Sequence, residues 1–196
     1  MSQPTLQQHY KEKVVPALKA KLGYTNPHQV PRLEKIVVTS CMGKSPDRKL
    51  AVDDAVIEIS KITGQKPSIT FSKKAIANFK LRADEPLGAR VTLRGARMWE
   101  FLDRFIHVTA PNIRDFRGIP SKSFDGRGNY AVGISDQSIF PEIEIDQIKR
   151  PIGFDLIFVT SAPTDNEARE MLRALGMPFR DNKKAEENAA AEAVEA

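Results

Sequence analysis

Gly64-Gln-Lys-Pro-Ser-Ile-Thr-Phe-Ser-Lys-Lys-Ala-Ile-Ala-Asn-Phe-Lys-Leu-Arg-Ala-Asp-Glu-Pro-Leu-Gly88, continued by Ala89-Arg-Val-Thr-Leu-Arg94, holds two strand-like ends around a basic middle. The second end alternates cleanly: Ala89, Val91 and Leu93 face one way, and Arg90, Thr92 and Arg94 face the other. Ser68 to Phe71 is the partner strand. The middle carries Lys73, Lys74, Lys80 and Arg82, with Ile76 and Phe79 between them. A loop between paired strands lies at the surface, where its charges stay solvated unless a partner takes them up. Four cations around an aromatic ring suit a phosphate-bearing partner that also offers flat faces or sugar edges. Read by itself, the loop also fits a hairpin tip kept soluble by its lysines.

Outward from this hairpin the chain alternates helices and strands. Leu6, Tyr10, Val14, Leu18 and Leu22 form one helical stripe that Gly23 ends, and Pro16 should kink or divide it. Lys35 to Cys41 is β-branched and reads as a strand showing Val37, Thr39 and Cys41 on one face. Ser45-Pro46-Asp47 reads as a helix start, and Val52, Ala55, Val56, Ile59 and Ile62 give the buried stripe that Gly64 closes. Met98, Phe101, Leu102, Phe105, Ile106 and Thr109 follow helical spacing up to Pro111. A long connection, Asn112 to Asn129, contains Arg114, Arg117, Lys122 and Arg127 with Phe116 and Phe124. Loops of that length in compact domains are more often functional than idle. Tyr130 to Ser135, Ile139 to Ile145 and Phe154 to Thr160 read as strands, and Thr164-x-x-Glu167 as the capping box of a last helix closed by Gly176.

Strands joined by short loops require antiparallel pairing, and the helical stripes need one sheet face to cover. The expected fold is therefore α+β: a single antiparallel β-sheet with helices packed on one face and the other face open for RNA. Arg90, Thr92 and Arg94 fall on the open face, where polar and cationic groups can read the shallow minor groove and sugar edges of folded RNA. One domain over residues 1–180 and a disordered Ala/Glu-rich tail over 181–196 is the simplest division.

Charge points the same way. The chain has 196 residues, 41% hydrophobic and 28% charged, with a net charge of +5. Asp181 to Ala196 holds two lysines and five acids, a net of −3, which leaves +8 on the body. A body that basic attracts polyanions. A membrane surface would need an amphipathic helix with a basic face, and none stands out. Cys41 is the single cysteine, which fits a reducing compartment. With no apolar run of spanning length and no secretory signal, a cytoplasmic protein is expected.

Catalytic and ligand motifs are weak. Gly126-Arg-Gly-Asn-Tyr-Ala131 matches a dinucleotide fingerprint in form, but no apolar strand precedes it and a strand follows it. His9, His28 and His107 are far apart, so no metal site is expected, and Cys41 reads as a buried small side chain. Pro141 to Asp146 alternates like an edge strand, and nothing selects a catalytic pair from its acids. No enzyme activity, cofactor or small-molecule substrate is expected. Two other kinds of protein share a basic body. An enzyme acting on acidic or phosphorylated small molecules would need converging titratable groups. A free-standing RNA-binding module, outside any larger ribonucleoprotein, would want exposed aromatics on adjacent strands, whereas the aromatics here fall mainly on helical stripes.

Val30-Pro-Arg-Leu-Glu-Lys35, Thr63-Gly-Gln-Lys-Pro67, Ala75 to Arg82, Val91-Thr-Leu-Arg94, Met98-Trp-Glu-Phe101, Ile113-Arg-Asp-Phe-Arg-Gly118, Ser123-Phe-Asp-Gly-Arg-Gly-Asn-Tyr130 and Phe140-Pro-Glu-Ile143 together resemble the bacterial family of large-subunit ribosomal protein five. The resemblance runs in order from Leu6 to Arg180. It implies a 5S rRNA-binding sheet surface with Thr39, Gln65, Thr92 and Arg94 on it, and Lys66 and Arg90 beside them. It also implies a loop from Lys73 to Arg82, including Lys74, Asn78, Phe79 and Lys80, that reaches P-site tRNA. Arg114, Arg117 and Arg127 become further RNA or subunit contacts. The implied partners are 5S rRNA, 23S rRNA, P-site tRNA, neighbouring 5S-associated ribosomal proteins and small-subunit protein thirteen, the last near Gln137 to Arg150. The chain departs from the family pattern at Thr39, where asparagine is usual, and at Ser68, where an apolar residue is usual. It departs again in the less glycine-rich run Thr39 to Lys44 and in the added acidic tail.

Overall fold

The computed structural model of the protein describes residues 3–43, 45 and 47–180. The tail expected over 181–196 lies outside the described residues. The elements in chain order are α1 (Thr5–His9), a π turn (Tyr10–Val14), α2 (Val15–Leu22), β1 (Leu33–Cys41), α3 (Arg48–Thr63), β2 (Ser68–Phe71) and β3 (Pro86–Leu93). They continue with α4 (Gly95–Arg104), a second π turn (Phe105–Thr109), β4 (Tyr130–Ile134), β5 (Phe154–Thr160) and α5 (Asp165–Ala174). The five strands form one antiparallel sheet in the order β2-β3-β1-β5-β4.

Period-two alternation divides the sheet into two unlike faces. Ile36 and Val38 on β1, Ala89, Val91 and Leu93 on β3, and Phe154, Leu156 and Phe158 on β5 are all buried. Against them pack the apolar stripes of α3 (Val52, Ala55, Ile59, Ile62), α4 (Met98, Phe101, Leu102) and α5 (Met171, Leu172). Each large side chain taken fully out of water, such as Phe101 or Phe158, contributes about 1.5–3 kcal/mol. The Tyr10 and Trp99 rings, 5.3 Å apart, fix the N-terminal helices to α4. The Tyr10 hydroxyl donates to the Pro31 carbonyl at 2.7 Å. The opposite face, with Val37, Thr39, Arg90, Thr92, Asp155 and Ile157, has no helix over it among the described residues, and none of these six is buried.

Pro16 interrupts the first helix as expected: the π turn separates α1 from α2, which carries Pro16 in its first turn. Three local expectations need correction. α3 begins at Arg48 with Asp47 at its N-cap, because Ser45 is in a turn, its amide bonded to the Met42 carbonyl. Pro46 lies outside the described residues. Residues 139–145 are not a strand: Gln137–Ile139 and Ile145–Gln147 are 3₁₀ turns. Burial there falls at Ile139, Phe140 and Ile143, a turn-like spacing that the alternating acids concealed, and Pro141 has no N–H to give an edge ladder. Thr164 is the N-cap of α5, but its side chain makes no capping bond.

Candidate nucleic-acid interface

The open face presents its side chains in cross-strand rows. Thr39 lies between Arg90 on β3 and Asp155 on β5, with Ser68 on β2 beyond Arg90. Val37 lies between Thr92 and Ile157 in the next row. Gln65, in the link from α3 to β2, sits beside this row, its amide 3.5 Å from the Thr92 carbonyl. Arg94 follows β3 as the exposed N-cap residue of α4, and Lys66 is exposed next to Gln65. The backbone thus brings Thr39, Gln65, Arg90, Thr92 and Arg94 to one side of the molecule. Neither Arg90 nor Arg94 forms a salt bridge with a described residue. The surface offers hydroxyls, amides and two guanidinium groups around a small apolar centre.

A compact finger leaves the far end of the β2-β3 ladder. At about 3.3 Å per residue, the eight residues of β3 separate it from Arg94 by roughly 26 Å. Its root is closed by Ser72, which is buried: the Ser72 amide donates to the Glu85 carbonyl, the Glu85 amide to Ser72 Oγ, and Ser72 Oγ to the Arg82 carbonyl. Its tip is closed by reciprocal bonds between Ile76 and Leu81 around a 3₁₀ turn, Ala77–Phe79. Lys80 and Asp84 adopt positive φ, 50° and 59°, a region that non-glycine residues rarely occupy. Lys73, Lys74, Asn78, Lys80 and Arg82 are exposed, and Phe79 is 70% exposed at the tip. The Arg82 amide first, and then the Arg48 guanidinium, hold the Glu85 carboxyl below the usual carboxylate range.

Arg114, Arg117 and Arg127 are exposed on the connection that leads into β4, at the opposite edge of the sheet from the finger. The structure therefore separates them from the other two groups. That connection is packed, with the Phe124 and Tyr130 rings 4.8 Å apart and Arg169 5.5 Å over the Phe124 ring. The fingerprint-like Gly126-Arg-Gly has a different use from the one its pattern mimics. Asp165 Oδ2 accepts from the Gly126 amide at 3.1 Å and Oδ1 from the Gly128 amide at 2.8 Å. An internal carboxylate fills the place a nucleotide phosphate would take. Gly128 has φ +78°, and a Cβ there would lie 2.5 Å from the Ala162 carbonyl oxygen, so the turn admits only glycine.

Two further points correct or extend the sequence reading. Cys41 is exposed rather than buried, since it ends β1 on the open face, where Gly88 opposite it has no side chain to cover it. A cavity of about 380 Å³ between α3 and the segment after Phe140 is lined by Asp54, Ile57, Glu58, Ile143 and Arg150, among others. Burial, reinforced by Asp54, pushes the Glu58 carboxyl up to about 7, with Lys61 and Gln137 opposing. Gln137 itself is fully buried and ties Arg150 to Ile152 through its amide. Arg48, which no sequence pattern singled out, reaches from α3 into the finger.

Comparison with known proteins adds a family context. A family described as "Ribosomal protein L5" matches residues 26–82, and the C-terminus of that ribosomal family, described separately, matches residues 86–179. The seam between the two falls within the finger, and β2 and β3 on either side of it are paired. Large ribosomal subunit protein uL5 of Clostridium botulinum (strain Hall) is 56% identical over 176 residues, 90% of this chain and 98% of the relative. The protein of the same name from Clostridium tetani is 52% identical over 176 residues, with the same coverage.

Proposed function

Because the chain belongs to the ribosomal protein L5 family, we propose that it holds 5S rRNA on its uncovered sheet face and P-site tRNA on its basic finger. As a member of this family it is a structural constituent of the large ribosomal subunit and not an enzyme, acting on the ribosome in the bacterial cytoplasm. That membership sets aside the free-standing module.

The observation that carries the 5S reading is the helix-free face with Thr39, Arg90 and Thr92 in adjoining rows and Arg94 at its edge. A wide, shallow RNA minor groove can lie on such a surface, its 2′-hydroxyls meeting Thr39, Thr92 and the Gln65 amide. Arg90, Arg94 and Lys66 neutralise phosphates, releasing counterions and giving a steep salt dependence. The Thr39 hydroxyl stands where the family usually places an amide, and it keeps one donor and one acceptor direction at shorter reach.

The finger has a different chemistry. Its lysines and Arg82 grip backbone phosphates, and Phe79 supplies a flat apolar face to a base or ribose. Arg114, Arg117 and Arg127, at the other sheet edge, face further RNA such as 23S rRNA or a neighbouring 5S-associated protein. Residues 137–150, where Ile145 is 72% exposed, are the docking place for small-subunit protein thirteen. Residues 1–180 act as one domain.

The test is filter binding of purified full-length protein to 5S rRNA across a salt titration, paired with a variant lacking residues 73–82. Salt-sensitive 5S capture that survives the deletion, together with loss of tRNA retention on reassembled subunits, is the expected outcome. Loss of 5S binding in the deletion would refute the division between face and finger.

A further inference from the structure

The finger's shape is not dictated by the two strands that bear it. It holds two non-glycine residues at positive φ, and its tip carries the exposed Phe79 and Lys80. One side chain from outside the hairpin reaches it at three points. The Arg48 guanidinium is 13% exposed at the start of α3. Nη1 donates to the Lys80 carbonyl at 2.9 Å and pairs with Glu85 Oε2 at 2.8 Å. Nη2 donates to the Phe79 carbonyl at 3.1 Å, and Nε to the Gly43 carbonyl at 3.2 Å. Glu85 Oε2 also accepts from the Arg82 amide at 3.1 Å, so finger tip, finger root and the β1-α3 loop meet at a single planar fork.

We propose that Arg48 is the positioning residue of the finger, holding the Phe79-Lys80 turn in the conformation that meets RNA. The proposal rests on the reading of the finger as an RNA contact. Two carbonyls at an exposed tip could be satisfied by water, so the fork's effect there is to restrict conformation. A loop ordered in advance loses less entropy when its partner arrives. Only arginine presents donors in a rigid fork that can span two successive carbonyls and a carboxylate; a lysine ammonium keeps the charge and can keep the Glu85 pair, but it cannot hold all of them at once. Charge and grip are therefore separable by substitution. Lys80 at positive φ is the residue whose conformation most needs the grip, because its backbone carbonyl is one of the two that the fork takes.

The experiment uses full-length protein carrying Arg48→Lys or Arg48→Ala, with Lys73→Ala/Lys74→Ala/Lys80→Ala as the finger control. Three quantities are read: amide exchange at residues 76–82, 5S rRNA affinity, and retention of deacylated tRNA by large subunits assembled with each variant. Both Arg48 variants should speed exchange at 76–82 about tenfold and weaken tRNA retention by a similar factor. 5S affinity and exchange in β1 and β3 should stay unchanged. Arg48→Lys should resemble Arg48→Ala rather than the parent, because the fork and not the charge is lost. Unchanged exchange at 76–82 in Arg48→Ala overturns the proposal, as does a loss of 5S affinity in step with tRNA retention. Parent-like exchange and retention in Arg48→Lys also overturn it, since charge alone would then suffice. Loosened exchange in both Arg48 variants, with tRNA retention unmoved there and in the triple-alanine control, supports Arg48 as the finger's anchor while refuting tRNA as what the finger grips.

Discussion

The open sheet face and the finger lie at opposite ends of one hairpin, yet they owe their shapes to different physics. On the face, each side chain's direction is fixed by the period of a hydrogen-bonded strand, and the apolar row behind it locks the register. Slipping β3 by one residue would put Arg90 and Thr92 in the core, so the core itself guards the open face. The finger has no core beneath its tip. Its form depends on Ser72 at the root, the Ile76-Leu81 bonds and a guanidinium from another element. One surface is thus rigid by construction, and the other only by attachment.

The largest test of that contrast removes the finger's cations together. Lys73, Lys74, Lys80 and Arg82 changed to alanine should weaken tRNA retention by on the order of 3 kcal/mol and flatten its salt dependence. 5S affinity measured in parallel should hold, and a matching loss there would merge the two surfaces into one. Next in size, Arg94→Ala should weaken 5S binding by about 1–3 kcal/mol in a filter-binding titration, with tRNA retention unchanged.

A third test changes the scaffold and neither surface. The folded value of Glu58, about 7, lies above the ordinary 4.5, so the folded state binds this proton more tightly than the unfolded chain does. Its ionisation penalises the fold as pH rises from about 4.5 through 7, and stability falls over that window. The Glu58 side chain is only half-buried, so much of the penalty is screened. Glu58→Gln should therefore raise stability at pH 8 by about 1 kcal/mol and change little at pH 4, read from thermal melts at the two pH values. 5S affinity should not follow. The smallest effect is expected from Thr39→Asn, which replaces the hydroxyl with a longer amide at the same row. A gain of about 0.5 kcal/mol in 5S affinity would sharpen the view that this row reads RNA by hydrogen bonds.

The same contrast explains what the sequence disclosed. The alternation of Ala89 to Arg94 located the open face because burial on one side of a strand leaves a two-residue signature in the residues themselves. The helical stripes ending at Gly64 and Pro111 were legible for the same reason. Arg48 was not, since a cation at a helix start looks like any solvated arginine and its partners, Phe79 and Lys80, lie more than thirty residues on. Asp165 hid its role similarly: the carboxylate that binds Gly126 and Gly128 follows them by 37 or more residues. Residues 139–145 misled because alternating acids mimic an edge strand, while the buried Gln137, Phe140 and Ile143 obey a turn's spacing. Regular backbone leaves a local pattern; a contact between distant side chains leaves none.

Methyl NMR of the labelled full-length protein titrated with 5S rRNA tests the central claim most directly, because the two sheet faces carry distinguishable methyl groups. Val37 and Ile157 look out from the open face, Val38 and Leu156 look into the core, and Ile76 reports on the finger. Large shifts at Val37 and Ile157, with Ile76 unmoved, are what the account predicts. Shifts concentrated at Ile76 or on the outer residues of α3, with Val37 and Ile157 unmoved, would contradict it.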